Sequence, residues 1–163
     1  MNDQVNQTDQ SVVHSTFVIE RSYPKPPERV FSAFSSAPQK RRWFLEGRKT
    51  EVEKHELDFR VGGTEHAQLR FKEGTPFPGV AMITDTSYLD ITPNRRIVIS
   101  STMMIGENRV SAALVTFEFL PTDKGTDLIC THQGAFFEGS GGPEMREEGW
   151  RKQLENLDKE LAR

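Results

Sequence analysis

The sequence predicts an α+β domain in which a long C-terminal helix lies across an antiparallel sheet of about six to seven strands, with two short helices after the first strand. Three observations carry this reading. Trp150, Leu154, Leu157 and Leu161 fall at i, i+4, i+7 and i+11, which is one apolar stripe on one helix. Upstream, strand-like alternating segments follow one another from about residue 51 to residue 136, separated by glycine-, proline- and asparagine-containing turns. A lone helix after many strands buries its stripe only by lying across the sheet they form.

The elements follow in order. Ser15 to Ser22 reads as the first strand, because Phe17 and Ile19 alternate with Val18 and Glu20 before Pro24 breaks the pattern. Prolines then open a short amphipathic helix carrying Val30, Phe31 and Phe34 at spacings of three and four. A second short helix is expected over Pro38 to Phe44. Glu51 to Arg60 and Thr64 to Phe71 form a pair across a two-residue turn at Gly62 and Gly63. Pro76 and Pro78 make residues 72–79 a loop. Gly79 to Ile91, Arg95 to Ile105, Arg109 to Leu120 and Thr126 to Phe136 complete the strands. A glycine-rich loop (Gly139, Gly141, Gly142), read as a hinge, leads through Pro143 into the helix.

The chain has 163 residues, 35% hydrophobic and 28% charged, which suits one domain over residues 14–163 behind a polar, disordered leader at 1–13. A formal net charge of -3 supplies no basic field for a polyanion, so nucleic acid and anionic membrane surfaces are not expected partners. The first residues lack the layout of a secretory signal, no apolar run approaches the ~20 residues of a membrane span, and the single cysteine, Cys130, cannot form an intramolecular disulfide. A cytoplasmic location is expected.

Several local motifs match a known group. They are ArgSerTyrProLysProProGluArgValPheSerAlaPhe at residues 21–34, ArgValGlyGly at 60–63, TyrLeuAspIleThrProAsnArgArgIleVal at 88–98, ThrPheGluPhe at 116–119, GlyThrAspLeuIleCysThrHisGlnGly at 125–134 and GlyTrpArgLysGlnLeuGluAsnLeu at 149–157. With their order, they resemble the START-like, helix-grip superfamily, in the branch named after the activator of heat-shock-protein-90 ATPase. The resemblance covers nearly all of the chain after the leader. It implies a helix-grip fold, a curved antiparallel sheet wrapped round the C-terminal helix with an apolar cavity between them. It implies no one activity, since the superfamily includes ligand carriers, hormone receptors, polyketide cyclases and a co-chaperone domain.

The expected function is therefore binding of a small apolar or aromatic molecule in that cavity. Its walls are expected from Phe34, Trp43, Phe71 and Tyr88 among the aromatics. Met82 and Met103 on strands, and Trp150 and Leu154 on the helix, complete them. His132 shares strand parity with Leu128 and Cys130 and so faces the same side, where it is either a proton carrier or a core histidine bonded to a backbone carbonyl. His66 is the second candidate, although its neighbour Glu65 points to the opposite face. A cyclase- or hydrolase-like enzyme using His132 or His66 is the alternative, and a co-chaperone-like domain with a protein partner is a third reading. Arg60, before the glycine turn, either meets a carboxylate or is a solvated strand end. The histidines and Cys130 show no metal-ligand spacing, residues 139–142 lack the lysine of a phosphate loop, and there is no serine-nucleophile elbow. No metal or cofactor is expected.

Overall fold

The computed structural model describes residues 11–163; residues 1–10 of the leader expected over 1–13 lie outside them. The order is β1 (Val13–Tyr23), α1 (Pro27–Ser35), α2 (Ala37–Lys40), a π-helical turn (Arg41–Leu45), β2 (Thr50–Leu57), β3 (Thr64–Phe71), β4 (Ala81–Thr92), β5 (Arg96–Ile105), β6 (Asn108–Thr122), β7 (Gly125–Phe136) and α3 (Gly142–Leu161). All seven strands form one sheet in the order β1-β7-β6-β5-β4-β3-β2, each neighbouring pair antiparallel. Because β1 and β2 are the two edges, the segment containing α1, α2 and the π-helical turn has to cross from one edge to the other.

Burial of alternate residues fixes which face is inside. Phe17, Ile19, Ile97, Ile99, Val115, Phe117, Phe119, Leu128 and Cys130 form one core with Val30, Phe31 and Phe34 of α1, Trp43 of the π-helical turn and Trp150, Leu154, Leu157 and Leu161 of α3. The stripe read from the sequence is the buried stripe. Polar contacts then pin the C-terminal half of α3: Tyr23 Oη donates to the Leu154 carbonyl at 2.7 Å, Gln153 donates to the Phe44 carbonyl at 3.1 Å, and Arg42 forks onto both oxygens of buried Glu160 at 2.8 Å. The hydrogen bonds from Arg42 hold the Glu160 carboxyl below its ordinary range.

Three expectations change. The first strand starts at Val13, paired with Phe136, rather than at Ser15, so regular structure reaches into the stretch read as leader. The second helix is split into α2 and the π-helical turn. The turn at Gly62 and Gly63 is not a two-residue hairpin: β2 ends at Leu57, and residues 58–63 form a loop that pairs onto β4 through Gly62 N–H to Tyr88 O and Tyr88 N–H to Gly63 O. A Cβ on Gly63 would run into the Asp58 carbonyl oxygen, so the glycine is needed for close backbone approach. Where the chain enters α3, Gly139 and Gly141 of the loop and Gly142 at the start of the helix all have φ between 80 and 87°, a conformation that other residues adopt poorly. Among the described residues, no helix is long and apolar enough to cross a membrane.

Candidate functional site

Cross-strand register sets the inner face out in rows. One row runs Tyr88, Ile99, Val115, His132, Phe17; the next runs Glu65, Thr86, Ser101, Ala113, Gly134; a third runs Ala67, Thr84, Met103, Ser111, Phe136. The first of these lies under the packed half of α3, and its members are buried. Further along, Thr84, Thr86, Ser101, Met103 and Ala113 are only half-buried. The reason lies in the helix sequence. The apolar stripe begins at Trp150, and Glu144, Met145, Glu148 and Gly149 before it are exposed, so the first two turns of α3 offer the sheet little apolar surface.

What does face the sheet there is Arg146, four residues before Trp150 on the same side of the helix. Its Nη2 donates to Ser111 Oγ at 2.8 Å and approaches Met103 Sδ at 3.2 Å, and its guanidinium carbon lies 5.3 Å from the centre of the Phe136 ring. Burial lowers its pKa to about 10, which leaves it a cation at neutral pH. Phe136 in turn stacks on His132 at 5.9 Å, and His132 stacks on Phe17 at 4.6 Å. Gly134 makes room for this stack, because a Cβ there would come within 2.9 Å of His132 Cε1 and 2.8 Å of Phe136 Cε2.

His132 is fully buried, and its Nδ1 has no hydrogen-bond partner, so the reading of a core histidine bonded to a backbone carbonyl does not describe that nitrogen. Burial, with Arg146 adding to it, lowers the imidazole from 6.5 to about 4. A histidine held neutral costs stability when it must be protonated: its contribution is intact above pH 6.5 and is lost as pH falls from 6.5 towards 4. The urea midpoint is expected to fall across that window, and His132→Asn is expected to flatten the slope there; an unchanged slope in the variant would refute the assignment.

At the other edge lies a buried polar cluster. Glu65 Oε1 accepts from Lys40 Nζ at 2.5 Å and from Tyr88 Oη at 2.8 Å, while His55 Nε2 lies 2.8 Å from Oε2. Burial pushes the Glu65 carboxyl up, but Lys40 first, and then the bonds from His55, Lys40 and Tyr88, more than offset it and hold it down at about 2. Burial and the Glu65 charge push the Tyr88 phenol far above its ordinary range, so it stays a donor. With both oxygens engaged and a depressed pKa, Glu65 is a poor base. The cluster ties α2 to β2, β3 and β4.

The sequence-predicted residues divide between core, site and surface. Phe34, Trp43, Tyr88, Trp150 and Leu154 belong to the main core, and Met82 packs on the smaller cluster of Leu45, Ala67 and Leu69. Phe71 packs on Phe77 of the following loop, with ring centres 6.0 Å apart. Met103 and His132 meet at the Arg146 end. His66 lies on the outer face, its Nδ1 2.6 Å from exposed Asp85, because it alternates with buried Glu65 and Ala67. That position corrects its place as a candidate for chemistry between sheet and helix. Arg60 pairs with Asp58 at the exposed strand end. Cys130 is buried, its thiol pushed up to about 12 by desolvation.

Sequence reasoning missed Lys40, His55 and Arg146. His55 was hidden by a bulge between Val52 and Lys54, which shifts the alternation so that His55 and Leu57 turn inward. Arg146 had a signal: it extends the stripe one turn towards the N-terminus of α3. The surface carries depressions that include one of about 480 Å³ by the β6–β7 turn and one of about 460 Å³ across the strands near Ser15, Ala113 and Gly134. Among the described residues, no group of three or more His, Cys, Asp or Glu side chains is placed to hold a metal ion.

A seven-stranded antiparallel sheet curved round a C-terminal helix, with short helices after the first strand, defines the START-like helix-grip class. Within it, residues 24–162 match the family described as activator of Hsp90 ATPase homolog 1-like protein, and the chain belongs to that family. It is similar to an uncharacterised protein of Rhizobium leguminosarum, at 36% identity with a TM-score of 0.86 over 94% of this chain and 97% of that one. A Rhizobium loti protein is 45% identical with a TM-score of 0.80, covering 92% of this chain and 99% of the other. An AHSA1-like protein of Aeromonas hydrophila, 18% identical over 91% and 92% of the two chains, shares the fold at a TM-score of 0.66. No curated protein matches the chain.

Proposed function

We propose that this protein binds a small, largely apolar molecule between the inner face of the sheet and the first turns of the C-terminal helix, without covalent chemistry. The observation that carries the reading is the change in packing along α3: from Trp150 onward its stripe is buried against rings, whereas before Trp150 its inward residue is Arg146, and the mostly short inner-face side chains Thr84, Thr86, Ser101 and Ala113 and the pliable Met103 are only half-buried. The chemistry of the same face favours binding over catalysis. Glu65 is saturated by its donors, the Cys130 thiol is held protonated, and the charged group near His132 is a guanidinium rather than a carboxylate.

The test is a titration of labelled protein with neutral amphiphiles, namely decanol, phenylbutanol and naphthalenemethanol, followed by NMR. Shifts centred on Thr86, Ser101, Met103 and Ala113 are expected with at least one of them. If none shifts these residues at saturation, or if the shifts centre on the depression beside Tyr23 and Lys124, the reading fails. Weight then passes to a domain that works through a protein partner on its outer surface.

A further inference from the structure

The face assigned to the ligand holds a cation without a counter-ion. Arg146 carries five N–H donors, and its bonds use one terminal nitrogen, on the neutral acceptors Ser111 and Met103. Among the described residues no carboxylate pairs with it. The acids next to it in sequence turn elsewhere: Glu144 and Glu148 are exposed, and Glu147 bonds to Arg151 at 2.7 Å. A guanidinium partly removed from water is commonly met by an anionic partner. Independently, the fully buried His132, stacked on the same Phe136 ring that Arg146 covers, leaves Nδ1 unpartnered. Two unsatisfied polar groups on one aromatic stack, beside a half-buried apolar strip, make a polar end and an apolar end.

We infer that Arg146 anchors the carboxylate of a bound organic acid, whose apolar body lies along Met103, Ala113 and Trp150. The inference rests on the proposed binding reading and narrows it to a ligand class, carboxylic acids with an aliphatic or aromatic body. Arginine suits the task because its fork matches two carboxylate oxygens at once and stays charged when partly desolvated.

Calorimetric titration with matched pairs tests it: decanoate against decanol, phenylbutyrate against phenylbutanol, naphthoate against naphthalenemethanol. The native protein is expected to prefer at least one acid over its alcohol by about tenfold or more, the size of a charge-assisted hydrogen bond. Arg146→Gln is expected to abolish that preference when its own acid and alcohol affinities are compared, Arg146→Lys to keep part of it, and the His132 ring resonances to move with the acid and not with the alcohol. Equal binding of acid and alcohol by the native protein, or a preference that survives Arg146→Gln, overturns the anchor and leaves the apolar site standing. If neither acids nor alcohols bind, both readings fall together. A melting curve of Arg146→Gln shows whether the variant is folded; if it is not, the native comparison and Arg146→Lys decide.

Discussion

Replacing Trp150 by alanine is expected to destabilise the protein by about 3–5 kcal/mol, the usual cost of deleting a buried indole. The ring is 8% exposed and meets Phe44 at 5.3 Å and Phe117 at 5.6 Å between ring centres, so it joins the segment after α2 to the sheet through the helix. No nearby side chain is placed to refill the space, because Phe34, Trp43 and Phe117 are themselves locked edge-on or tilted against one another. In a domain of this size each kcal/mol lowers Tm by about 2–4 °C, so a fall of roughly 6–20 °C is expected in a thermal melt. Trp150 also ends the packed half of α3, so the variant is expected to weaken neutral amphiphiles as well. A melt within about 2 °C of the native protein would show that the ring is not core.

The architecture was legible because each part of it depends on patterns that short segments display. Stripe spacing placed α3, alternation placed six strands after the helices, and prolines placed the loop at 72–79. The site was less legible, for reasons specific to its residues. Reading the strand from Val52 puts His55 outside, and only the bulge brings it in. Lys40 is 6% exposed, yet a lysine ending a four-residue helix reads as solvated, since what buries it is Glu65 and Tyr88 from strands 25 and 48 positions away. The alternation argument did separate Glu65 from His66 correctly; the partner of Glu65 came from another strand. Apart from His132, the nine expected ligand-facing residues were chosen for size and apolarity, and those same properties drew Phe34, Trp43 and Leu154 into the packed core.

Breaking the Lys40–Glu65 pair is expected to have an effect as large as the loss of Trp150, and one that depends on pH in a defined way. Lys40→Met leaves a carboxylate that is 5% exposed with only His55 and Tyr88 as donors, and removing one member of a buried pair costs about 3–5 kcal/mol. The double variant Lys40→Met with Glu65→Leu is expected to recover much of that loss, because desolvation of an unpaired charge, rather than the lost attraction, dominates the single change. The sign of the pH effect follows from Glu65. Its pKa is lowered from 4.5 to about 2, so the stability it contributes is complete above pH 4.5 and is lost as pH falls from 4.5 towards 2. The His132 loss begins higher, at pH 6.5, so the two windows separate on an acid titration. Urea midpoints measured from pH 7 down to pH 2 for the native protein, the single variant and the double variant are the check. Lys40→Met should lose the step below pH 4.5, because Glu65 without its cation no longer has a strongly depressed pKa. Equal destabilisation in the single and double variants would mean that the cluster holds α2 against β2, β3 and β4 through its hydrogen bonds rather than through its charge.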